Sequence, residues 1–291
     1  MRGWAAVVAG SAALLLGRGA AGQTALAPPA TDSFAGRLEF DGASEFSHIR
    51  IRRRGDVRSL LFVRDSGEEA LETQVNLRRP AELQFEYLQF LFASYLLRER
   101  PSDVLIVGLG GGGMVHFLRA NDPGVRVDAV EIDPLVVELA GKYFGVEAGG
   151  NVNIVTADAL QYIAEAPPGK YDVIYLDAFL KPSAETDSTG VPLTLRTAEF
   201  YRQLQSKLKP GGVAAFNINP HEGMRADADA IAAAFPQTYE FPLARYAGLV
   251  VLASTDPTRV PRREMIERAR RLDPRFTTSI NFAQMARRVQ E

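Results

Sequence analysis

Residues 104–113 read VLIVGLGGGG, an apolar run of four residues followed by a run rich in glycine. The apolar run is typical of a buried parallel strand. Glycine lets the backbone turn tightly and approach a ligand closely, and the N-terminus of the helix predicted after it can bind an anion. The stretch therefore predicts a strand, a nucleotide-binding loop and a helix, with Gly108, Gly110 and Gly112 as binding residues.

Acidic residues follow the next three predicted strands. Glu131 ends the second strand, where a carboxylate can accept hydrogen bonds from the hydroxyls of a ribose. Asp158, with Ala159, follows the third strand, and two roles stay open for it: contact with an adenine amino group, or capping of the next helix. Asp177 ends the fourth strand, at the edge where open α/β sheets bind ligands, and is either a functional carboxylate or a turn residue. A nicotinamide dinucleotide fits the loop and Glu131 equally, whereas Asp158 and Asp177 weigh against it.

Apolar strands alternate with amphipathic helices from residue 104 onward, which predicts a mostly parallel sheet with right-handed crossovers. The last two predicted strands, 237–241 and 248–253, are too close for a crossover helix and predict an antiparallel hairpin. Upstream, residues 83–97 predict a helix. Arg50 and residues 52–54, all arginines, lie in a predicted antiparallel β unit, and we interpret them as solvated edge-strand charge rather than as an anion site.

The chain organisation follows from these patterns. We expect a signal peptide at residues 1–27, a linker at 28–35, a small β domain at 36–75, a Rossmann-like nucleotide-binding domain at 76–255 and a helical extension at 256–291. The leader combines a 13-residue apolar run at 5–17 with the sequence ALA at 25–27, as a cleavable secretory signal does. If it is cleaved, the protein is exported to the periplasm or secreted; the alternative is a cytoplasmic protein.

Composition excludes several classes of function. The 33 basic and 35 acidic residues give a formal charge of −2, which argues against nucleic-acid binding. Cysteine is absent, so disulfides and thiolate metal sites are excluded. The three histidines lack metal-ligand spacing, and we expect no metal. Past the leader, no segment approaches the ~20 apolar residues of a membrane span.

Taken in order, the motifs resemble the spermidine synthase family of aminopropyltransferases. More loosely, they resemble S-adenosylmethionine-dependent methyltransferases of the same fold. The resemblance spans residues 36–255, including a small N-terminal β domain. It implies an α/β, Rossmann-like class I methyltransferase fold with a mostly parallel seven-stranded sheet. The motifs that carry it are residues 104–113, 130–134, 158–159, 171–177 and 200–212.

The resemblance also implies roles. The glycine loop and Glu131 would hold the methionine-derived tail and the ribose, and Asp158 would contact the adenine. Asp177 would be the base near the attacking amine, and Gln74 and Glu86 are candidates for substrate contact. The co-substrate would be decarboxylated S-adenosylmethionine or S-adenosylmethionine, the partner a small-molecule amine or other acceptor, and a homodimer is permitted.

The chain departs from the family pattern at positions that the resemblance assigns to contact with the amine substrate or the co-substrate's amino tail. Gly111 stands where spermidine synthases carry an aspartate in the loop, and residues 85–87, FEY, replace Tyr-His-Glu. The segment 177–182, DAFLKP, lacks the second aspartate of Asp-Ser-Ser-Asp-Pro. Asn217 and Asn219 end the fifth strand near the cleft, and we interpret them as strand-end turn residues rather than as substrate contacts. Three functions stay open: an aminopropyltransferase, a methyltransferase, and a non-catalytic binding or scaffold protein.

Overall fold

A computed structural model describes residues 36–180, 182–245, 247–276 and 280–290. The expected signal peptide and linker, residues 1–35, lie outside the described residues. The described chain has the predicted α/β architecture: a four-stranded antiparallel sheet precedes a mostly parallel sheet of seven strands.

The small sheet has the order β1-β2-β3-β4. The interpretation of Arg50 and Arg52 as edge-strand charge is wrong, because β2 pairs with β1 on one side and β3 on the other. Both guanidinium groups instead bind Glu69, with N–O distances of 3.0 Å for Arg50 and 2.7 Å for Arg52. The strands are β1 (Arg37–Ala43), β2 (His48–Arg54), β3 (Val57–Val63) and β4 (Glu69–Asn76).

The large sheet has the order β10-β11-β9-β8-β5-β6-β7. The five strands β9, β8, β5, β6 and β7 run parallel to one another. The predicted terminal hairpin is confirmed, since β10 and β11 pair antiparallel and β11 also pairs antiparallel with β9. The strands are β5 (Asp103–Val107), β6 (Arg126–Glu131), β7 (Val152–Thr156), β8 (Tyr171–Leu176), β9 (Leu208–Ile218), β10 (Gln237–Pro242) and β11 (Leu249–Ser254).

The helix predicted at 83–97 is shorter than expected. It begins at Glu86 and tightens into a 3₁₀ turn over Phe92–Leu96. Arg268 donates to the carbonyl oxygens of Leu96 and Leu97, at 3.0 Å each, which ends the turn. The helices are α1 (Glu86–Leu91), α2 (Gly113–Asn121), α3 (Pro134–Phe144), α4 (Ala159–Glu165), α5 (Ala198–Lys207), α6 (Met224–Ala234), α7 (Arg262–Leu272) and α8 (Phe282–Arg288).

The parallel strands are buried on both faces and separate two hydrophobic cores. Side chains alternate along a strand, so Val104 and Ile106 pack into one core while Leu105 and Val107 pack into the other. This double burial explains why the strands are continuous apolar runs in the sequence. It also holds the carboxyl ends of the strands at one rigid edge, where the residues that follow them meet.

Within the described ranges, no helix is both long enough and apolar enough to cross a lipid bilayer.

Candidate functional site

A cavity of about 580 Å³ opens at the carboxyl edge of the large sheet. Parallel pairing aligns Val107 with both Val130 and Leu176. The residues that follow these strands therefore meet, as expected for an open α/β sheet. The small sheet closes the cavity from the other side through β3 and β4. Among the predicted site residues, those that line it are Gly108, Gly110, Glu131, Asp158, Ala159 and Asp177.

The glycine loop approaches its neighbours too closely for side chains. A Cβ on Gly108, whose φ is +94°, would lie 2.2 Å from the carbonyl oxygen of Asp177. A Cβ on Gly110, whose φ is +52°, would lie 2.5 Å from Oγ1 of Thr73. Gly112 precedes α2 and packs against Val146 rather than lining the cavity. Two of the three predicted loop contacts therefore face the cavity, and the third shapes the loop.

Glu131 holds the loop in position. Its carboxylate accepts from the backbone N–H of Leu109 at 2.9 Å and from that of Asp133 at 3.0 Å. Burial raises the pKa of Glu131, and these backbone N–H groups oppose that rise. The carboxylate is thus both a cavity wall and a fixed acceptor.

Asp158 fulfils the capping role and also lines the cavity. Its carboxylate accepts from the backbone N–H of Leu160 at 2.8 Å, which caps α4. One oxygen makes this bond, and the side chain still forms part of the cavity wall together with Ala159. The two roles considered for Asp158 are therefore compatible.

Asp177 lies at the end of β8, beside the loop. Its Oδ1 accepts from Nδ2 of Asn217 at 3.0 Å, and its Oδ2 accepts from the Tyr87 hydroxyl at 3.4 Å. Burial raises the pKa of Asp177 to about 6. The interpretation of Asn217 as a turn residue is wrong, because it lies within β9 and is 8% exposed.

Glu72, on β4, was not identified from the sequence, yet it lines the same cavity. Leu60 pairs with Thr73 and Leu61 pairs with Leu71, so Glu72 is the extra residue of a β-bulge. Burial and the nearby negative charge of Asp177 raise the pKa of Glu72 to about 8. Bulges are frequent beside active sites because they redirect a side chain.

The structure does not bring Gln74 and Glu86 to the cavity wall. The Gln74 amide donates to the Ser59 hydroxyl at 3.0 Å. The Glu86 carboxylate binds Arg288 at 2.7 Å and accepts from the backbone N–H of Arg245 at 2.8 Å. Glu86 therefore ties α1 to the C-terminal part of the chain.

The segment after Asp177 forms one wall of the cavity and is tied to the fold by ion pairs. Arg196 bonds Asp187 within this segment, and it also bonds Asp227 on α6 at 2.6 Å. His221 contacts the same oxygen of Asp227 at 2.8 Å. The apolar side chain of Leu193, 48% exposed, lies at the rim of the cavity.

The described residues contain no group of three or more His, Cys, Asp or Glu side chains arranged to hold a metal ion.

Comparison with known proteins places these features in context. A family model described as "Spermine/spermidine synthase domain" matches residues 90–227. A polyamine aminopropyltransferase of Vibrio vulnificus is 32% identical over 176 residues, 60% of this chain and 56% of that protein. The mouse eEF1A lysine and N-terminal methyltransferase is 36% identical over 150 residues, 50% of this chain and 21% of that protein. The matches thus span about half or less of these relatives.

Solved structures show the same fold. Human methyltransferase-like protein 13, in complex with SAH, aligns with a TM-score of 0.57 and 30% identity, covering 65% of this chain and 88% of that one. A spermidine synthase in complex with the transition-state analogue AdoDATO aligns with a TM-score of 0.60 and 23% identity, covering 84% of this chain and 80% of that one.

Proposed function

Since this chain belongs to the spermidine synthase family, we propose that it is a transferase that moves an aminopropyl group from decarboxylated S-adenosylmethionine to an amine. The observation that carries the proposal is Asp177, a half-buried carboxylate at the cavity whose pKa is raised to about 6. An alkylamine is protonated near neutral pH and must lose a proton before its nitrogen can form a bond. A carboxylate titrating near pH 6 is mostly ionised at pH 7 and can take that proton.

The co-substrate would occupy what we call the nucleotide half of the cavity, formed by Gly108, Gly110, Glu131 and Asp158. The two glycines leave backbone surface open to the methionine-derived tail. Glu131 would accept from the ribose hydroxyls, and Asp158 from the adenine amino group. All four residues line the same cavity, and glycine is required at 108 and 110 because a Cβ would meet the Asp177 carbonyl oxygen and the Thr73 hydroxyl.

The amine would occupy what we call the acceptor half, formed by Glu72, Tyr87 and Asp177. The co-substrate supplies a carbon bonded to a sulfonium sulfur. Asp177 would take one proton from the ammonium, and the freed nitrogen would bond to that carbon as the carbon–sulfur bond breaks with its electron pair on sulfur. The sulfonium becomes a neutral thioether, the product nitrogen becomes a positively charged secondary ammonium, and the proton on Asp177 passes to solvent. Asn217 and Tyr87 orient the carboxylate throughout by their hydrogen bonds.

A methyltransferase is the second candidate, and Gly111 is the observation that favours it. A Cβ at this position would meet Cγ2 of Thr73 at 2.6 Å and Cδ1 of Phe144 at 3.0 Å. The loop therefore has no room for the aspartate that spermidine synthases carry there. Free N–H groups at a helix N-terminus suit the carboxylate of intact S-adenosylmethionine. Methyltransferases are also among the curated relatives.

Mass spectrometry of the nucleotide product separates the two reactions. We would incubate the chain from Pro28 onward with each co-substrate and a panel of amines. Methylthioadenosine formed from the decarboxylated co-substrate supports aminopropyl transfer, and S-adenosylhomocysteine formed from the intact one supports methyl transfer. If wild type forms no more of either product than Asp177→Asn, both proposals fail and a non-catalytic role gains support.

We also propose that the leader is cleaved and the protein exported. N-terminal sequencing of the protein recovered from the periplasm or the medium tests this. A mature chain beginning near Pro28 is expected, and an intact Met1 on cytoplasmic protein would contradict it.

A further inference from the structure

The described part of the C-terminal extension lies outside the matched family domain and away from the cavity wall. It nevertheless reaches α1, the helix that carries Tyr87 of the acceptor half. Phe282 and Met285 of α8 pack into the hydrophobic core that also contains α1. The last residue of α8, Arg288, binds the Glu86 carboxylate at the start of α1, with an N–O distance of 2.7 Å. The extension is therefore joined to a helix that borders the cavity.

Glu86 is the centre of this junction, and it is 8% exposed. One carboxylate oxygen accepts from Arg288 and from the backbone N–H of Ala244 at 3.1 Å. The other oxygen accepts from the backbone N–H of Arg245 at 2.8 Å. Burial acts to raise the pKa of Glu86, but these three donors outweigh it and the pKa is lowered. The ionised carboxylate thus joins α1, the loop after β10 and α8.

Arg288 makes contacts on three sides. A second guanidinium nitrogen donates to the carbonyl oxygen of Pro242, and the guanidinium lies over the ring of Phe90, 4.5 Å from its centroid. A planar guanidinium can bond a carboxylate and a carbonyl while it stacks on an aromatic ring, whereas an ammonium cannot. Two residues later, the backbone N–H of Gln290 donates to the carbonyl oxygen of Glu240 at 2.9 Å. The end of the described chain is therefore held against α1 and β10 together.

The contacts of Glu86 bear on the position of Tyr87. Phe85, at the N-cap position of α1, makes no side-chain capping bond, and helix ends without such bonds fray. Glu86 is the first residue of α1, and Tyr87 follows it directly. Tyr87 lines the cavity, and its hydroxyl donates to Oδ2 of Asp177 at 3.4 Å. Because this bond is long for O–H···O, a small displacement of the start of α1 would break it.

We propose that Glu86 and Arg288 are positioning residues for the base Asp177 and act through Tyr87. The inference rests on the proposed function, to which it adds two residues that touch neither the substrate nor the cavity. It gives Glu86 a role behind the cavity wall in place of the substrate contact that the resemblance implied. It also makes the C-terminal extension part of the machinery of the reaction.

The titration of Asp177 reports on these contacts without requiring turnover. The described groups that face its carboxylate include Tyr87 from α1, Asn217 from β9 and the charge of Glu72 from β4. Burial raises the pKa of Asp177, and the bonds from Asn217 and Tyr87 oppose that rise. Tyr87→Phe should therefore raise this pKa by about half to one pH unit. Carbon NMR of protein labelled at the aspartate carboxyl carbons measures it, and Asp177→Asn identifies the signal.

Glu86→Gln and Arg288→Met should each raise the pKa of Asp177 by an amount similar to that of Tyr87→Phe. Glu86→Gln combined with Tyr87→Phe should raise it no further than either change alone, because both act through one hydrogen bond. Arg288→Lys keeps the charge and should recover part of the wild-type value.

The matched control is Glu99→Gln. Glu99 also ties the extension to the rest of the chain, since its carboxylate binds Arg271 of α7 at 2.7 Å, but it follows the 3₁₀ turn and bonds neither α1 nor the loop after β10. This variant should lower the Tm and leave the titration of Asp177 unchanged. A purely structural role of Glu86 would give the same result in both variants.

Turnover supplies a second readout. Glu86→Gln should lower kcat by about two- to tenfold, move the pH profile upward and change the affinity for methylthioadenosine by less than about twofold. The positioning role is overturned by an unchanged pKa of Asp177 in Glu86→Gln and Arg288→Met, by an equal change in Glu99→Gln, or by additive shifts in the double variant. If wild type forms neither nucleotide product, the proposed function fails, while the titration still decides whether Glu86 positions Asp177.

Discussion

In the nucleotide half of the cavity, backbone N–H groups already bond the carboxylates, whereas in the acceptor half Glu72 receives no hydrogen bond from a described residue. Glu131 accepts from two residues of its own neighbourhood and Asp158 caps a helix. In the acceptor half, burial and the negative charge of Asp177 raise the pKa of Glu72 to about 8 against the opposing charge of Arg64, and burial raises the pKa of Asp177 to about 6. The comparison teaches that one half is preorganised by the fold, while the other stores electrostatic strain that a cationic ligand can release.

The largest effect is expected from Asp177→Asn in the acceptor half. The amide keeps the shape of the side chain but cannot accept a proton, so kcat/KM should fall by about 10²–10⁴. Affinity for methylthioadenosine, measured by calorimetry, should stay within about twofold, because the nucleotide half is untouched. A turnover within fivefold of wild type would show that Asp177 is not the base.

Gly108→Ala should damage both halves, since it lies where they meet. The new Cβ would lie 2.2 Å from the Asp177 carbonyl oxygen, and the residue would keep a φ of +94°. Strain of about 1–3 kcal/mol should weaken nucleotide binding by about five- to 150-fold.

The matched control for Gly108→Ala is Gly169→Ala. Gly169 has a φ of +62° but no atom within 4 Å of its Cβ position, so it carries only the backbone penalty. The Gly169→Ala variant should bind the nucleotide as tightly as wild type, although its Tm should fall. Equal losses of affinity in the two variants would mean that close packing of the loop is irrelevant.

Glu72→Gln and Glu131→Gln should change stability in opposite directions. The folded pKa of Glu72, about 8, exceeds its ordinary value of 4.5. Ionisation of Glu72 therefore lowers the free energy of unfolding. This loss is absent below about pH 4.5, grows as the pH rises and is complete above about pH 8. Glu72→Gln should stabilise the fold by about 1–2 kcal/mol at pH 9, a rise in Tm of roughly 2–8 °C, with no gain at pH 4.5.

Glu131→Gln is the comparison for that measurement. Its amide N–H₂ would face the N–H groups of Leu109 or Asp133, which the carboxylate now bonds. It should therefore lower the Tm at pH 9. Scanning calorimetry of both variants at pH 4.5 and pH 9 measures the contrast. A Tm loss for Glu72→Gln at pH 9 would contradict the strain assigned to the acceptor half.

Thr73→Val should have the smallest effect. The Thr73 hydroxyl accepts from the backbone N–H of Gly111 at 3.2 Å and so links the small sheet to the loop. Valine has the same shape but leaves that N–H unpaired, at a cost of about 0.5–1.5 kcal/mol. Affinity for methylthioadenosine should fall by about two- to tenfold with amine binding unchanged. An unaltered nucleotide affinity would show that the loop holds its shape without the small sheet.

The nucleotide half could be predicted from sequence because it depends on regular structure. Continuous apolar strands define a parallel sheet, and the residues after each strand must meet at one edge. Gly108, Glu131 and Asp158 were found in this way, and so was Asp177 of the acceptor half; all four line the cavity. Their proposed roles in binding and catalysis stay predictions.

Apart from Asp177, the acceptor half could not be predicted, because it depends on irregular structure and on contacts between distant segments. Strand periodicity assigns Glu72 and Thr73 to opposite faces, and the extra residue that overrides this leaves no compositional signal. Gln74 and Glu86 were selected by family resemblance, yet their partners lie in other segments. For Glu86 the partner is Arg288, 202 residues further along the chain, and no local pattern reveals a pairing at that separation.

The bulge at Glu72 also bears on how such sites arise and are lost in evolution. Removing one residue between the partners of Leu60 and Leu61 would restore regular pairing and take the acid out of the cavity, with the rest of the strand conserved. An insertion would have the reverse effect. The charge of this cavity therefore depends on the length of strand β4 as well as on its amino-acid sequence. Two homologues with nearly the same sequence can differ in the charge of the cavity through a single deletion in this strand.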